Sequence, residues 1–241
     1  VTTFHSIGAA SVVVAITAVI SIPVSAQSPS QQSGRQKGRL FAPRDLGLLN
    51  APDREDWQKP DLIMDELQIA DGSRVADLGA GDGWFTIQLA RRVGPNGVVY
   101  AQDIQPLMIE ALSRRVQREG LRNVTPVLGT ANDPKLPRHE ELDAVLIVDA
   151  FDEMDDPARP EVIVTLLNHI ARSLKPQGRL GVVDFLPGAG GPGPAPEERP
   201  DPENIIAAAA AAHLRLQKRE TLPPFSFLLV FGKEPQAKPA R

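Results

Sequence analysis

From Arg74 onward, short apolar runs alternate with stretches in which apolar side chains recur every three or four positions. Arg74 to Leu78 is an apolar run with polar flanks, the pattern of a strand covered on both faces. Trp84 to Val93 spaces Phe85, Leu89 and Val93 along one helix face. Gly94-Pro95-Asn96-Gly97 ends that helix with turn residues, and Val98 to Gln102 reads as a second strand ending at Asp103. The pattern repeats. A helix from Pro106 to Glu119 aligns Met108, Leu112 and Val116, with Gly120 as its stop, and a strand follows at Val124 to Leu128. Leu142 to Val148 is the most apolar strand, and Glu161 to Leu174 is a helix with Ile163, Leu167, Ile170 and Leu174 on one face. Pro176-Gln177-Gly178 then turns into a fifth strand, Arg179 to Phe185. A shorter helix is expected at Asp61 to Leu67, opened by Pro60. Strands alternating with amphipathic helices predict βαβ units, hence an α/β fold with a doubly wound parallel sheet.

The carboxyl end breaks the alternation. Glu203 to Ala212 is an alanine-rich helix, and His213 to Glu220 and Phe225 to Phe231 are strands joined by Thr221-Leu222-Pro223-Pro224. That link is too short for a parallel crossover, so the last two strands are expected to form an antiparallel hairpin.

At the amino end, Ile7 to Ile22 is nearly free of charge, and Val24-Ser25-Ala26 places small residues where a signal peptidase reads. No Lys or Arg precedes the run, only His5. Residues 1–26 are therefore expected to be a cleaved export signal or an uncleaved membrane anchor. Residues 27–56 would be a linker, 57–233 the folded domain and 234–241 a flexible tail. An exported, periplasmic protein follows, touching a membrane only through the first segment if it is retained.

Composition narrows the chemistry. The net charge is -4 with both signs mixed, so no broad nucleic-acid surface is expected. With no cysteine, disulfides, thiolate metal sites and cysteine nucleophiles are excluded. His139 and His169 lack partners at metal-ligand spacing, and no metal is expected.

The informative stretch is Asp77-Leu78-Gly79-Ala80-Gly81-Asp82-Gly83, between the first strand and its helix. Glycines permit a tight turn and close approach of a ligand. A dinucleotide site wants Gly-x-Gly-x-x-Gly, with the last glycine easing helix–strand packing. Here that position is Trp84, and an acidic residue precedes the turn. Asp77 would repel a pyrophosphate and suits a cationic ligand. S-adenosylmethionine carries an ammonium and a sulfonium and no phosphate. Asp103, at the end of the second strand, can accept from both ribose hydroxyls or can cap the next helix. After the third strand, Asn132 or Asp133 can accept from the adenine amine or form an Asx turn before Pro134. Asp82 reads as a turn residue.

These residues resemble class I S-adenosylmethionine-dependent methyltransferases. The likeness rests on Ala76-Asp77-Leu78-Gly79-Ala80-Gly81-Asp82-Gly83 and Val99-Tyr100-Ala101-Gln102-Asp103-Ile104. Arg54-Glu55-Asp56-Trp57-Gln58-Lys59-Pro60, Asn132-Asp133-Pro134-Lys135-Leu136-Pro137 and Leu174-Lys175-Pro176-Gln177-Gly178 extend it to a bacterial branch that often carries export signals. The resemblance implies a Rossmann-like sheet of order 3-2-1-4-5-7-6. It also implies a cofactor site built from Asp77, Gly79, Ala80, Gly81, Gly83, Asp103, Ile104, Asn132, Asp133 and Asp149. Two departures stand out. Phe151-Asp152 replaces an aromatic-His pair, and Ala211-Ala212-His213 replaces an Ala-Gly pair.

Methyl transfer from a sulfonium is an in-line displacement that needs alignment and exclusion of water more than a universal catalytic group. Asp149 and Asp152 lie past the fourth strand, where ligands of such sheets bind, and are candidates for acceptor contact or general base. Trp57 and Gln58 either close over the methionine end or anchor the core. The expected partner is a small-molecule methyl acceptor. The alternative is a non-catalytic nucleoside-binding protein on the same fold, and Trp84 argues against a nicotinamide enzyme.

Overall fold

The computed structural model describes residues 39–234 except 140 and 189, together with residues 1 and 3. The chain divides into two units, residues 1–33 and 34–241, and the elements below all belong to the second. The apolar run Ile7 to Ile22 and the tail from residue 235 lie outside the described residues. Among the described residues no helix is long and apolar enough to cross a membrane.

Seven strands form one sheet, β1 (Arg74–Leu78), β2 (Val98–Asp103), β3 (Val124–Leu128), β4 (Leu142–Val148), β5 (Leu174–Phe185), β6 (Leu214–Leu222) and β7 (Ser226–Lys233). Their order is β3-β2-β1-β4-β5-β7-β6, as expected for a Rossmann-like methyltransferase sheet. β1 to β5 run parallel, and β7 pairs antiparallel with both β5 and β6. The central strands are buried on both faces, which is why they read as continuous apolar runs. One face is covered by α6 (Pro160–Ser173) and α7 (Pro202–Ala211), through Ile163, Leu167, Ile170, Ile205 and Ala209. The other is covered by α2 (Pro60–Glu66) and α3 (Trp84–Val93), through Ile63, Met64, Phe85, Leu89 and Val93. α4 (Pro106–Arg118) adds Leu112 and Val116 beside Ala101 and Ile87.

Three details differ from the pattern. Leu174 is the first residue of β5, not the last of a helix, although its side chain stays in the same apolar cluster as Ile170. Apolar spacing therefore ran on while the backbone left the helix, two residues before Pro176. Thr221 and Leu222 belong to β6, because both still pair across to β7 before the prolines remove the ladder donors. Short helices also escaped the periodicity: a 3-10 turn at Pro43–Leu49, α1 (Arg54–Gln58) and α5 (Phe151–Met154). α1 straddles the boundary drawn at Trp57.

His213 follows α7 with φ of 59°, in the left-handed region. A glycine at this helix end carries no such strain, which is the physical content of the departure at Ala212-His213.

Candidate cofactor and acceptor site

The candidate groups lie at or just past the carboxyl ends of β1, β2, β3 and β4. The turn Gly79–Gly83 leaves β1 and enters α3. Gly79 has φ of 70°, and a Cβ there would lie 2.8 Å from Ala150 Cβ and 3.1 Å from Met154 Cε. Gly83 has φ of 89°, and a Cβ there would press on the Leu112 side chain. Ala80 N–H donates to the Gln102 carbonyl at 2.9 Å, and Gly81 N–H donates to Asp103 Oδ2 at 3.0 Å. The turn is thereby held against the end of β2.

Asp77 is 2% exposed, and its Oδ2 accepts from Thr86 Oγ1 at 2.6 Å. Burial raises its carboxyl to about 6, against the Thr86 hydrogen bond and the charge of Arg54. A carboxyl so placed ionises more readily once a cation stands beside it. Asp103 is raised by burial, while backbone N–H groups of Gln105, Gly81 and Ile104 favour its charged form. Its Oδ1 accepts from Gln105 N–H at 2.9 Å. The β3 loop stands next to it, since Gly129 N–H donates to the Asp103 carbonyl at 3.0 Å.

Asp149 takes a left-handed φ of 53° directly after β4. Its Oδ2 receives Arg54 Nη2 at 3.1 Å and its Oδ1 receives Gln58 Nε2 at 3.4 Å. The ion pair is nearly dry, with side-chain exposures of 10% and 14%. Burial raises Asp149 against the pull of Arg54. The Arg54 guanidinium also lies 4.4 Å from the centre of the Trp84 ring, and its Nη1 donates to the Leu49 carbonyl at 2.8 Å. Asp is one of the few side chains that enters this region readily, and the ion pair holds it there.

Comparison with known proteins agrees with this geometry. Residues 75–178 match the family described as a methyltransferase domain. A SAM dependent methyltransferase from Aquifex aeolicus superposes with a TM-score of 0.73 at 26% identity, covering 80% of this chain and 98% of that one. Residues 75–178 are thus a methyltransferase domain, and the sheet order and the Aquifex aeolicus structure give the chain the fold of class I S-adenosylmethionine-dependent methyltransferases. It is 27% identical over 101 residues to a protein-L-isoaspartate O-methyltransferase of Methanococcoides burtonii, covering 42% of this chain and 49% of that protein. It is 35% identical over 134 residues to a ubiquinone/menaquinone biosynthesis C-methyltransferase of Pasteurella multocida, covering 54% of this chain and 45% of that protein. The chain thus spans about half the length of these curated relatives.

S-adenosylmethionine is the cofactor of this class, and the residues present fit it. The cradle at Gly79 has no room for a side chain, Asp77 is poised for a cation, and Asp103 faces the same turn. Asp82 braces the turn from outside, where its Oδ2 accepts from Asn50 Nδ2 at 2.6 Å and Arg115 Nη1 at 2.8 Å. Asn132 and Asp133 organise the β3 loop. Asn132 Oδ1 accepts from Thr130 Oγ1 at 3.0 Å, and Asp133 takes Lys135 Nζ at 2.6 Å and Arg138 Nη2 at 3.2 Å. The Lys135 hydrogen bonds pull Asp133 down to about 2. Ile104 directly follows β2, beside Asp103.

Gln58, expected to close over the methionine end or anchor the core, instead donates to Asp149. Other contributors went unread in the sequence: Arg54 stood only inside a motif, and Thr86 was a hydroxyl in the first turn of α3. A strap from Phe41 to Asn50 was hidden in an apparent linker. Phe41 N–H donates to Glu153 Oε2 at 2.8 Å, and its carbonyl accepts from Gln105 Nε2 at 2.9 Å. The strap therefore spans from the loop after β2 to the helix after β4. Leu49 at its far end lies 3.3 Å from where a Gly81 Cβ would sit. Trp57 packs with Phe185 and Phe225, with ring centres 5.9 Å and 6.2 Å apart.

Proposed function

We propose that this protein transfers the methyl group of S-adenosylmethionine to a small-molecule acceptor. The observation that carries the reading is the buried Asp77 carboxyl set against a phosphate-excluding glycine turn. Asp77 would hold the ammonium end of the cofactor and Asp103 its ribose hydroxyls. Asn132 and Asp133 are proposed to face the adenine; Asn132 is the stronger choice, because Asp133 already serves Lys135 and Arg138.

The bound cofactor supplies a methyl group on a good leaving group. The chain's own residues position and shield. Asp149, held by Arg54 and Gln58, stiffens the edge of the site where an acceptor would enter. The aromatic cluster of Trp57, Phe185 and Phe225 and the Phe41–Asn50 strap restrict water, which suits a reaction that depends on alignment. The kinship to a quinone-pathway C-methyltransferase supports a small acceptor.

One observation favours a second reading, a non-catalytic nucleoside-binding protein. Asp149 is already committed to Arg54 and Gln58, so it is not a free general base. The two are separated by incubating the protein with methyl-tritiated S-adenosylmethionine and fractionated cell metabolites. Label appearing in an organic-extractable product with stoichiometric S-adenosylhomocysteine supports the enzyme. Tight binding of both nucleosides with no label transfer supports the binding protein.

We also propose that the protein is exported. The support is the apolar run Ile7 to Ile22 followed by Val24-Ser25-Ala26. A cytoplasmic location of the full-length chain on cell fractionation would overturn this.

A further inference from the structure

Asp77, the carboxyl assigned to the cofactor's ammonium, is itself held from α3. Side chains alternate along β1, so Asp77 shares the sheet face of Val75, the face covered by α3. Its neighbours across the sheet are Ala101 of β2 and Leu146 of β4, both apolar and fully buried. Asp184 of β5 shares the opposite face with Val182, and Asp152 lies buried in the first turn of α5. The charged groups that act on Asp77 are Arg54 of α1, of opposite sign, and Asp103 at the end of β2, of its own sign.

The helix meets this carboxyl with a single hydroxyl. The buried residues of α3 are Phe85, Ile87, Leu89, Ala90, Val93 and one polar side chain, Thr86. At a fully buried position valine has the same shape and would leave no oxygen to satisfy. Hydroxyls inside helices commonly bond the carbonyl one turn back. Thr165 of α6 does so with the Glu161 carbonyl at 2.8 Å, and Ser113 of α4 with the Ile109 carbonyl at 2.7 Å. Thr86 reaches across to β1 instead, where its Oγ1 donates to Asp77 Oδ2 at 2.6 Å. Branching at Cβ leaves threonine few rotamers in a helix, so the donor is stiff. With Oδ2 engaged in this way, Oδ1 is the oxygen left to meet a ligand.

We propose that Thr86 is a positioning residue for the cofactor: its hydroxyl fixes the plane of the Asp77 carboxyl so that Oδ1 receives the ammonium of the methionine end. This rests on the methyl-transfer reading above and adds to it a residue that acts through Asp77 and not by contact with the cofactor. A binding group works best when its own geometry is set by a supporting hydrogen bond before the ligand arrives. The same bond favours the charged form of Asp77 against burial, as the charge of Arg54 does, whereas Asp103 opposes it. The hydroxyl thus aims the carboxylate and helps keep it ionised where an ammonium needs it. Without the hydroxyl, Oδ2 would lose its donor and the carboxyl could turn away from the ligand.

The test is calorimetry of the full-length protein and its variants with two adenosine thioethers. S-adenosylhomocysteine carries the amino acid end with its ammonium, and methylthioadenosine lacks it. The unsubstituted protein is expected to prefer S-adenosylhomocysteine by at least about tenfold at neutral pH. Thr86→Val is expected to weaken S-adenosylhomocysteine about tenfold and to leave methylthioadenosine within about twofold. It is also expected to move the midpoint of the rise in S-adenosylhomocysteine affinity with pH upward from about 6. Thr86→Ser keeps the hydroxyl and is expected to bind within about threefold of the unsubstituted protein. If Thr86→Val does not fold, Thr86→Ala carries the same expectation. Equal weakening of both ligands would mean that Thr86 serves only the fold, and overturns the proposal. Unchanged affinity and midpoint in Thr86→Val, or a Thr86→Ser protein as weak as Thr86→Val, overturns it as well. Failure of the cofactor reading looks different: the unsubstituted protein would then bind S-adenosylhomocysteine no better than methylthioadenosine, or not at all.

Discussion

Asp77 illustrates how one buried carboxyl ties stability to binding in opposite senses. Its carboxyl rises from 3.8 to about 6 because burial disfavours the charge. The folded chain therefore binds that proton more tightly than the unfolded chain. The resulting stability is complete below 3.8 and is lost as pH rises through about 6. In the role proposed for Asp77, cofactor binding runs the other way, because the ammonium needs the carboxylate. S-adenosylmethionine affinity is expected to climb as pH rises through about 6 and level off above it. Asp77→Asn should raise the stability of the ligand-free protein near neutral pH by about 1–3 kcal/mol and flatten the pH dependence of binding, at reduced affinity. Thermal melts and equilibrium titrations over the same pH series check both halves; unchanged pH dependence of binding in the variant would count against the assigned role of Asp77.

His213 offers a stability test far from the site. Its φ of 59° is a conformation that side chains with a Cβ resist. His213→Gly is expected to stabilise the fold by about 1 kcal/mol, read from urea denaturation, with cofactor affinity unchanged.

Among the elements, the most consequential were the least legible. α1 has five residues and no apolar stripe, yet its Arg54 reaches Asp149 after β4. Periodicity cannot register a helix shorter than two turns whose buried residues are an arginine and a glutamine. Removing the arginine would leave Asp149 buried without its partner. Arg54→Ala is expected to cost about 3–5 kcal/mol of unfolding free energy, and the double variant Arg54→Ala/Asp149→Ala markedly less. Equal losses in the single and double variants would mean that the pair is not coupled. The Phe41–Asn50 strap makes a kinetic prediction. Gln105→Ala deletes its bond to the Phe41 carbonyl while Phe41 N–H still reaches Glu153. A bond worth about 1 kcal/mol corresponds to S-adenosylhomocysteine leaving about fivefold faster in stopped-flow measurements; an unchanged rate would show that the strap does not guard the cofactor.

At the scale of the molecule, the alternation of strands and helices was readable because strands buried on both faces and amphipathic helices write different periods into the chain; the strand order came from the resemblance to methyltransferases. The glycine turn and its two carboxylates were readable for a related reason: Asp77, Gly79, Gly83 and Asp103 lie close together in sequence around one turn and one neighbouring strand end. The carboxyls past β4 and β5 were only half visible. Asp149 and Asp152 follow a strand in plain sequence, but Asp184 reads as one more residue of β5 until β4 and β5 are laid side by side. Contacts made between distant segments, such as Phe41 with Glu153, leave no local pattern at all.

The proposed chemistry depends on the glycine turn after β1 taking a cationic adenosine ligand that carries no phosphate. Calorimetry of the purified, folded chain with S-adenosylmethionine and with NAD tests it most directly. The predicted result is saturable, one-to-one binding of S-adenosylmethionine at neutral pH and none of NAD. Binding of NAD with no response to S-adenosylmethionine would contradict it.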